Sequence, residues 1–462
     1  MEKNLPTQKQ LSGVALTGNE KLNFVLQWYE MEEVREALDD GIALDQLYFA
    51  CKEREITKDT PANLNTLLNA LEQLRIEIKY NQLTRETEVE GLPDRYSDSN
   101  SLNVLPAYLI DFFKSKGVRG FSKQSIEDYI VCVADINRYN PIVDYLCSGK
   151  WDGQDRITKL CDIMGITRPL YQTYVRKWLI QCVALGLNDS KTPIGADGIL
   201  VLQGSQGSGK TSFFRTITPC RRWFVEGAAI DVKDKDTMIN ALGGWITELG
   251  ELDGTLKKEQ AALKAFITQT NDRIRLPYAK APISEPRRTS FCGTVNQEDY
   301  LRDETGSRRF WTIPITEIDK KALFSLSSDF INQLWYQVYA LYLQDNNGFR
   351  LTDEELKTVQ EENKEFTVAM PFELEIKAKF NYNIPFDKWE WWKSAEIAQY
   401  YFNGQNAVQI GRVLNKVACE IAADLHISKC SITKTLRGQR MYLVPLKRTG
   451  SWVYDTSNTP NT

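Results

Sequence analysis

The sequence predicts an α/β protein of the P-loop NTPase type, with a helical region before the α/β core and a small helix-and-hairpin module after it. The first observation is ILVLQGSQGSGKTSFFRTI (199–217), in which a glycine-rich loop separates two apolar runs. The second is a set of further apolar runs within 190–345, which end on polar residues. The third is the helical spacing of apolar residues before and after this block.

The composition favours several domains and a local rather than a global charge signal. A chain of 462 residues suggests about three domains at ~100–200 residues each. The net charge of −4 means that any DNA-binding surface must be local. Nine cysteines without a Cys-x-x-Cys pair, and a single histidine, His426, exclude a zinc site of the usual ligand spacing.

The N-terminal stretch MEKNLPTQKQLSGVALTG lacks the apolar core of a signal peptide. No apolar run approaches the ~18–20 residues that span a bilayer. We therefore expect a cytoplasmic protein without a membrane partner.

Changes in periodicity and turn residues divide the chain. ANLNTLLNALEQL places leucines on one helical face, IEIKYNQLTRETEVEG alternates like a hairpin, and GLPDRYSDSNS (91–101) is typical of a linker. The predicted segments are an N-terminal helical region with a small hairpin (1–100), a helical domain (101–190), a P-loop domain (191–345), a helical linker (346–387), a winged-helix-like domain (388–455) and a tail (456–462).

The glycine-rich loop fits the pattern G-x-x-x-x-G-K-[ST]. Its glycines let successive N–H groups face phosphate oxygens, Lys210 would reach the β- and γ-phosphates, and the Thr211 hydroxyl would bind Mg²⁺. A flexible glycine turn is the alternative, which the flanking apolar runs disfavour. The residues predicted to bind the phosphates of ATP are Gly204, Ser205, Gln206, Gly207, Ser208, Gly209, Lys210, Thr211 and Ser212.

An acidic strand would complete such a site. In GGWITELGELDG (243–254) a short apolar run delivers Glu248, and Glu251 follows three residues later. We predict Glu248 at the metal and Glu251 as the residue that polarises the attacking water, with the order of the two roles left open. The alternative is a surface helix that begins with two solvated glutamates.

Two further polar positions follow. RRTSFCGTVN (287–296) is an apolar run ending at Asn296, whose amide can hydrogen-bond the γ-phosphate or the attacking water. DETGSRRFW (303–311) places Arg308 and Arg309 after a glycine turn, and planar guanidinium groups suit the charge that spreads over a transferring phosphoryl group. The alternative for the arginines is an ordinary surface pair.

Basic residues with an interleaved aromatic ring lie between these motifs, within LKAFITQTNDRIRLPYAKAPISEPRR (263–288). Such a hairpin can hold a single strand through phosphate contacts and base stacking, and a solvated loop is the alternative. The residues predicted to contact DNA here are Lys264, Arg273, Arg275, Tyr278 and Lys280.

The C-terminal block has a local basic excess. Between Lys388 and Arg448 there are ten Lys or Arg against four Asp or Glu. Ser428 can cap a second helix that Gly438 would end, which predicts a winged helix whose recognition helix binds DNA. The alternative is a packing or oligomerisation module. The residues predicted to contact DNA are Lys429, Lys434 and Arg437.

Together these stretches resemble the virulence-associated protein E family of phages and mobile elements, which is related to superfamily 3 helicases and poxvirus-type primase-helicases. YNPIVDYLCSGKWDGQDRI (139–157) is similar to the segment ahead of the family's ATPase. GSQGSGKTSF, WITELGELDG, LKAFITQTNDRIRLPY and GTVNQEDYLRDETGSRRFW then follow in the family's order. The resemblance covers roughly residues 135–320.

The resemblance implies an AAA+-like P-loop NTPase core of the superfamily 3 type, a ring-forming and DNA-stimulated ATPase, with ATP and Mg²⁺ as cofactors. Many superfamily members carry adjacent acidic residues, whereas Leu249 and Gly250 separate the two glutamates here, which leaves the base unassigned. The matched positions are Lys210 and Thr211 on the phosphate loop, Glu248 and Glu251 on the acidic strand, Lys264 on the basic motif, Asn296 on the sensor, and Arg309 with Arg308 on the arginine finger.

Two functions follow as hypotheses. The first is a replicative DNA helicase-type ATPase that hydrolyses ATP between the subunits of a hexameric ring and translocates single-stranded DNA. Duplex origin DNA and a separate primase are further candidate partners, and no primase is expected in this chain. The second is a DNA-binding regulator, or phage-interference protein, with an ATP switch and no motor activity. A small-metabolite kinase does not explain the order of Asn296 and the arginine turn.

Overall fold

The computed structural model describes residues 20–28, 31–231, 234–250, 252, 263–274, 281–297, 300–301, 308–367, 370–404, 406–436 and 438–446. A five-stranded parallel sheet forms the centre of this mixed α/β structure. Smaller modules precede and follow the sheet along the chain.

The N-terminal region combines helices with a small sheet. Its elements are α1 (Glu20–Leu26), α2 (Glu32–Asp39), α3 (Leu44–Glu55), α4 (Leu64–Leu74), β1 (Glu77–Asn81), β2 (Glu86–Glu90), α5 (Ser101–Ser115), α6 (Lys123–Ile136) and β3 (Arg138–Tyr139). The predicted hairpin is present as the antiparallel pair β1 and β2, and β3 joins β1 in parallel. One apolar cluster joins α4, β1, α5 and α6, so the predicted boundary at residue 100 falls inside a packed unit.

Three helices lead into the central sheet. They are α7 (Pro141–Cys147), α8 (Arg156–Ile163) and α9 (Pro169–Gly186). The central domain then continues with β4 (Ile199–Gln203), α10 (Lys210–Ile217), β5 (Phe224–Ala228), α11 (Lys235–Ala241), β6 (Ile246–Leu249), β7 (Asn271–Ile274), β8 (Ile283–Pro286), β9 (Ser290–Val295), β10 (Phe310–Pro314), α12 (Lys320–Phe324), α13 (Ser328–Gln344) and α14 (Asp353–Glu365).

The sheet order is β10–β4–β9–β6–β5, and all neighbours are parallel. Side chains alternate between the two faces of β4, so Leu200 and Leu202 belong to one apolar cluster and Ile199 and Val201 to another. Because both faces are covered, β4 is apolar along its length, as the sequence predicted.

Buried tryptophans fix the helices of one layer to the sheet. Trp178 on α9 donates its indole N–H to the main-chain oxygen of Phe291 at 2.9 Å, and Trp245 donates to that of Cys182 at 2.8 Å. Each ring is fully buried, and each polar N–H has an acceptor. This packing holds the sheet and α9 in one fixed relation.

The C-terminal module contains α15 (Glu373–Lys379), β11 (Glu390–Lys393), α16 (Ser394–Phe402), α17 (Ala407–Asp424), β12 (Thr433–Leu436) and β13 (Gln439–Val444). Its strands form an antiparallel sheet in the order β11–β13–β12. The apolar face of α17 packs inside this module.

The predicted recognition helix after Ser428 is wrong. Ser428 does accept a hydrogen bond from the Cys430 N–H, but only a short 3₁₀ turn follows before the chain becomes β12. Gly438, with a φ of 76°, makes the turn between β12 and β13 instead of ending a helix. The β-branched alternation of this stretch and its pairing with β13 outweigh the capping signal.

None of the helices in the described part of the chain combines the length and the hydrophobicity that a membrane crossing requires.

Candidate nucleotide-binding site

The glycine-rich loop joins the carboxyl end of β4 to the first turn of α10. Gly207 and Gly209 have φ angles of 83° and 98°, in the left-handed region that glycine adopts without strain. A Cβ on Gly204 would lie 2.1 Å from the main-chain oxygen of Ile315. These positions therefore require glycine, and the loop has the geometry of a phosphate cradle at a helix N-terminus.

The Lys210 ammonium is folded inside this loop. It donates to the main-chain oxygens of Gly204 and Ser205, both at 2.8 Å, and to the Ser208 hydroxyl at 3.3 Å. It also donates to the side-chain oxygen of Asn296 at 3.1 Å. All four acceptors are neutral, so the ammonium can exchange them for phosphate oxygens.

Lys210 is only 6% exposed. Burial lowers the pKa of Lys210, while the charge of Glu248 acts in the opposite direction. A bound polyphosphate would add negative charge beside the ammonium and so favour its charged form.

Glu248 lies within β6 and is 2% exposed, which rules out the alternative of a solvated helix start. Its Oε1 accepts hydrogen bonds from the hydroxyls of Thr211 at 2.6 Å and Thr294 at 2.8 Å. Thr294 precedes Asn296 by two residues and was not predicted, because a threonine within an apolar strand carries no distinctive signal. Glu251 lies outside the described residues.

Two hydrogen-bonded sets of side chains lie at this loop, Lys210 with Asn296 and Glu248 with Thr211 and Thr294. We call these five residues the phosphate-loop cluster. They come from β6, from β9 and the residue after its end, and from the start of α10. The carboxyl ends of parallel strands share one edge, and a crevice outside that edge is where ligands bind in open α/β sheets.

Arg308 and Arg309 lie near the amino ends of the strands, opposite the end that carries the phosphate loop. Phe310 pairs with Ile199 at the start of β4, whereas the phosphate loop begins after Gln203 at its end. Five strand residues correspond to roughly 17 Å. The two arginines line a cleft with Asp197 and Thr268, and they do not join the phosphate-loop cluster of their own chain.

Comparison with protein families decides the identity of this domain. Residues 146–368 match the family described as the virulence-associated protein E-like domain. The chain carries a virulence-associated protein E-like domain. The matched range contains α9, the whole central sheet and every member of the phosphate-loop cluster.

Comparisons with individual proteins are more distant. No match is found among curated proteins. The apo structure of the NrS-1 C-terminal region (305–718) is 12% identical, covers 84% of this chain and 100% of that chain, and has a TM-score of 0.43. The A form apo structure of the NrS-1 C-terminal region is 13% identical, covers 82% of this chain and 98% of that chain, and has a TM-score of 0.41.

Oxygen ligands for a magnesium ion are available at the phosphate loop of the virulence-associated protein E-like domain. Mg²⁺ in nucleotide sites takes one or two protein oxygens and completes its shell with phosphate oxygens and water. The Thr211 hydroxyl lies 2.6 Å from a carboxylate oxygen of Glu248, and these two groups would supply the protein oxygens. In the described ranges, no group of three or more His, Cys, Asp or Glu side chains could hold a metal ion.

The β7–β8 hairpin of this domain is anchored by buried ion pairs. Arg287 is fully buried and donates its Nε to both Asp272 oxygens at 2.8 Å. Arg85, from the turn between β1 and β2, donates to Asp272 at 2.5 Å. Burial acts to raise the pKa of Asp272, but Arg287 and Arg85 outweigh it and hold that pKa below its usual range.

A second acid extends this group. Glu285 is the cross-strand partner of Asp272 and pairs with Arg138 and, at 3.4 Å, with Arg288. The sequence offered Arg287 and Arg288 only as part of a basic stretch, whereas the structure buries both in ion pairs. The hairpin-base cluster, as we call it, consists of Arg85, Arg138, Asp272, Glu285, Arg287 and Arg288.

The residues predicted to contact DNA are dispersed. Arg273 is exposed on β7, whereas Lys264 is buried, which argues against a direct DNA contact in this conformation. Lys434 lies on β12 with its ammonium 4.0 Å from the centre of the Trp391 ring, and Lys429 lies in the preceding 3₁₀ turn. The predicted residues outside the described ranges are Arg275, Tyr278, Lys280 and Arg437.

Proposed function

We propose that this chain is an ATP hydrolase of the DNA helicase type, acting in the replication of a phage or mobile element. The observation that carries the proposal is the phosphate-loop cluster, which joins a loop lysine, a hydroxyl, a buried carboxylate and an amide at one sheet edge. The virulence-associated protein E-like domain supports it, since the resemblance of the sequence to that family implies a DNA-stimulated ATPase.

Each member of the cluster has a role in this proposal. The loop N–H groups and Lys210 bind the β- and γ-phosphates, and Thr211 and Glu248 offer oxygens to the metal. Mg²⁺, when held by these residues, would neutralise negative charge on the phosphates. Asn296 orients the water that attacks the γ-phosphorus, ADP leaves as the bridging bond breaks, and a carboxylate accepts the proton of the water.

Arg308 and Arg309 fit a site between subunits. Their distance from the phosphate loop of their own chain prevents a contact there, so a contact with the γ-phosphate requires a neighbouring subunit. In a closed ring with head-to-tail contacts, the amino ends of the strands in one subunit can face the carboxyl ends of the strands in the next subunit. We therefore propose that Arg309, with Arg308, completes the site of a neighbour in a hexameric ring.

Single-stranded DNA is the proposed substrate of the β7–β8 hairpin. Arg273 is exposed on β7, and the predicted contacts Arg275, Tyr278 and Lys280 belong to the connection between β7 and β8. The hairpin-base cluster fixes the strands from which this connection leaves. Motion between subunits after hydrolysis would move the connection along a bound strand.

The decisive experiment measures ATP hydrolysis with and without single-stranded DNA, with the oligomer mass determined alongside. We expect DNA-stimulated turnover by a ring. A monomer that does not hydrolyse ATP under any of these conditions would refute the proposal.

A mixing experiment tests the site between subunits. Lys210→Ala and Arg309→Ala should each abolish turnover, and Arg309→Ala should leave nucleotide binding largely intact. A mixture of the two should regain part of the activity, because an Arg309→Ala subunit keeps its phosphate loop and receives Arg309 from a Lys210→Ala neighbour. A mixture as inactive as its components, although mass measurement shows mixed rings, would contradict the assignment of Arg309.

The second candidate function is a DNA-binding regulator with an ATP switch. The C-terminal module supports it, because its strand–helix–helix–hairpin order and three-stranded sheet suit a winged helix. Strand displacement on forked DNA separates the two candidates. ATP-dependent displacement favours the helicase, and duplex binding that responds to ATP without displacement favours the regulator.

A further inference from the structure

Helix α17 of the C-terminal module buries one side and exposes the other. Ile410, Val413 and Val417 pack in the module's core. Val408 is 73% exposed, and Gln409 and Arg412 are exposed as well. Among the described elements of this module, α17 is the longest helix, with 18 residues, or about 27 Å at 1.5 Å per residue.

Two carboxylates of the module are engaged by lysines. Glu373 pairs with Lys377 at 2.8 Å and with Lys416 at 2.9 Å, and Glu420 pairs with Lys377 at 2.8 Å. Residues 407–419 contain no acidic side chain. The N-terminal half of α17 itself therefore contributes no negative charge.

The β12–β13 hairpin adds a second guanidinium beside this half of the helix. Arg440 on β13 donates to the side-chain oxygen of Asn415 at 3.1 Å, and the Tyr442 hydroxyl donates to the main-chain oxygen of Gly411 at 3.0 Å. Within the described ranges, neither Arg412 nor Arg440 forms an ion pair. Strand β13 thus fixes the orientation of α17 and places Arg440 at its edge.

The side chains on this surface are those that read base edges. Arginine contacts guanine bidentately, glutamine and asparagine contact adenine, and an apolar side chain contacts the thymine methyl group. An α-helix fits the major groove, and residues near its N-terminus make the base contacts in helix–turn–helix proteins. Two guanidinium groups without paired carboxylates complement the charge of the phosphate backbone.

We propose that α17 reads duplex DNA in the major groove through Val408, Gln409 and Arg412, with Arg440 beside it. This surface replaces the segment around Lys434 as the recognition element. Residues on one strand alternate between faces, and Arg440 shares its face of β13 with Tyr442, which contacts α17. Lys434 pairs with Met441 on the other face, against Trp391. The inference extends both candidate functions and does not require ATP hydrolysis.

The test uses the full chain and a library of DNA duplexes with a randomised central segment, so that the selection itself identifies the preferred sequence. Wild type, Gln409→Ala, Arg412→Ala and the control Lys434→Ala are compared. All three positions are exposed, so the folded structure should persist, and circular dichroism checks this. Selected duplexes are sequenced, and binding to a selected duplex, a scrambled duplex and the single strand is measured at fixed salt.

We expect wild type and Lys434→Ala to enrich the same motif. Arg412→Ala should weaken binding to the selected duplex by roughly 5- to 150-fold and relax one position of the motif, and Gln409→Ala should relax a different position. Lys210→Ala should keep the full selection, so a failure of the proposed ATPase is distinguishable from a failure of this inference.

Three outcomes would overturn the inference. One is unchanged selection and affinity in both Gln409→Ala and Arg412→Ala. Another is a loss in Lys434→Ala as large as in Arg412→Ala. The third is binding of single strands alone, with no duplex enriched by the wild-type chain.

Discussion

The phosphate-loop cluster and the hairpin-base cluster both bury charge, but they satisfy it differently. Lys210 contacts only neutral oxygens, whereas Arg287 and Arg85 share the carboxylate of Asp272. The first arrangement is open to an anionic ligand, and the second is closed by its own residues. Burial of charge alone therefore does not mark a functional site, because the kind of partner decides what the charge does.

Replacing Lys210 should give the largest effect on activity and a small effect on the fold. The ammonium of Lys210 is the positive side chain of the phosphate loop, so Lys210→Ala should lower ATP turnover by about 10²–10³-fold or more, as for the loss of a preorganised donor. Steady-state ATPase assays measure this, with the exposed Lys357→Ala on α14 as the matched lysine control. Turnover within a few-fold of wild type would show that the phosphate-loop cluster, like the hairpin-base cluster, does not act on an anionic ligand.

Replacing Asp272 should show the reverse, a large effect on the fold. Asp272→Ala leaves Arg85 and Arg287 buried without their carboxylate, and the loss of one partner of a buried pair costs about 3–5 kcal/mol. The free energy of unfolding, measured with denaturant on the full chain, tests this expectation. The exposed Asp135, which pairs with Arg138, is the matched control, and Asp135→Ala should cost about 0–1 kcal/mol. Equal losses in both variants would show that the hairpin-base cluster is not structural.

Acid should weaken the hairpin-base cluster. The pKa of Asp272 in the folded chain is below its usual value, so its contribution to stability is present above the ordinary aspartate pKa of about 4. This contribution is lost as the pH falls through the lowered pKa. The difference in unfolding free energy between wild type and Asp272→Asn should therefore shrink as the pH falls from about 5 toward 3. A difference that grows with acid would reverse the inferred direction of the pKa shift.

Much of the central site could be predicted because its signals are local. The loop of 204–211 needs glycines and a lysine at fixed spacing, and the apolar runs of β4, β6 and β9 deliver Glu248 and Asn296 to one edge of a parallel sheet. The hairpin-base cluster could not be predicted, since Arg85 and Asp272 are 187 residues apart and meet only after the N-terminal region packs on the central domain. The amphipathic pattern of α17 indicates a helix, but the sequence favours the segment after Ser428, and not α17, as the part that contacts DNA.

By itself the sequence determined the phosphate loop, the order along the chain of the segments that carry Glu248 and Asn296, and the resemblance to the virulence-associated protein E family. These follow from the spacing of residues within short segments, which determines the local conformation of the backbone. Tertiary structure alone decided that Arg309 lies on the far edge of the sheet, that Arg287 is a buried ion-pair partner, and that residues after Ser428 form a strand. In each case the outcome depends on which distant segment pairs with the residue, and that pairing is a property of the packed chain.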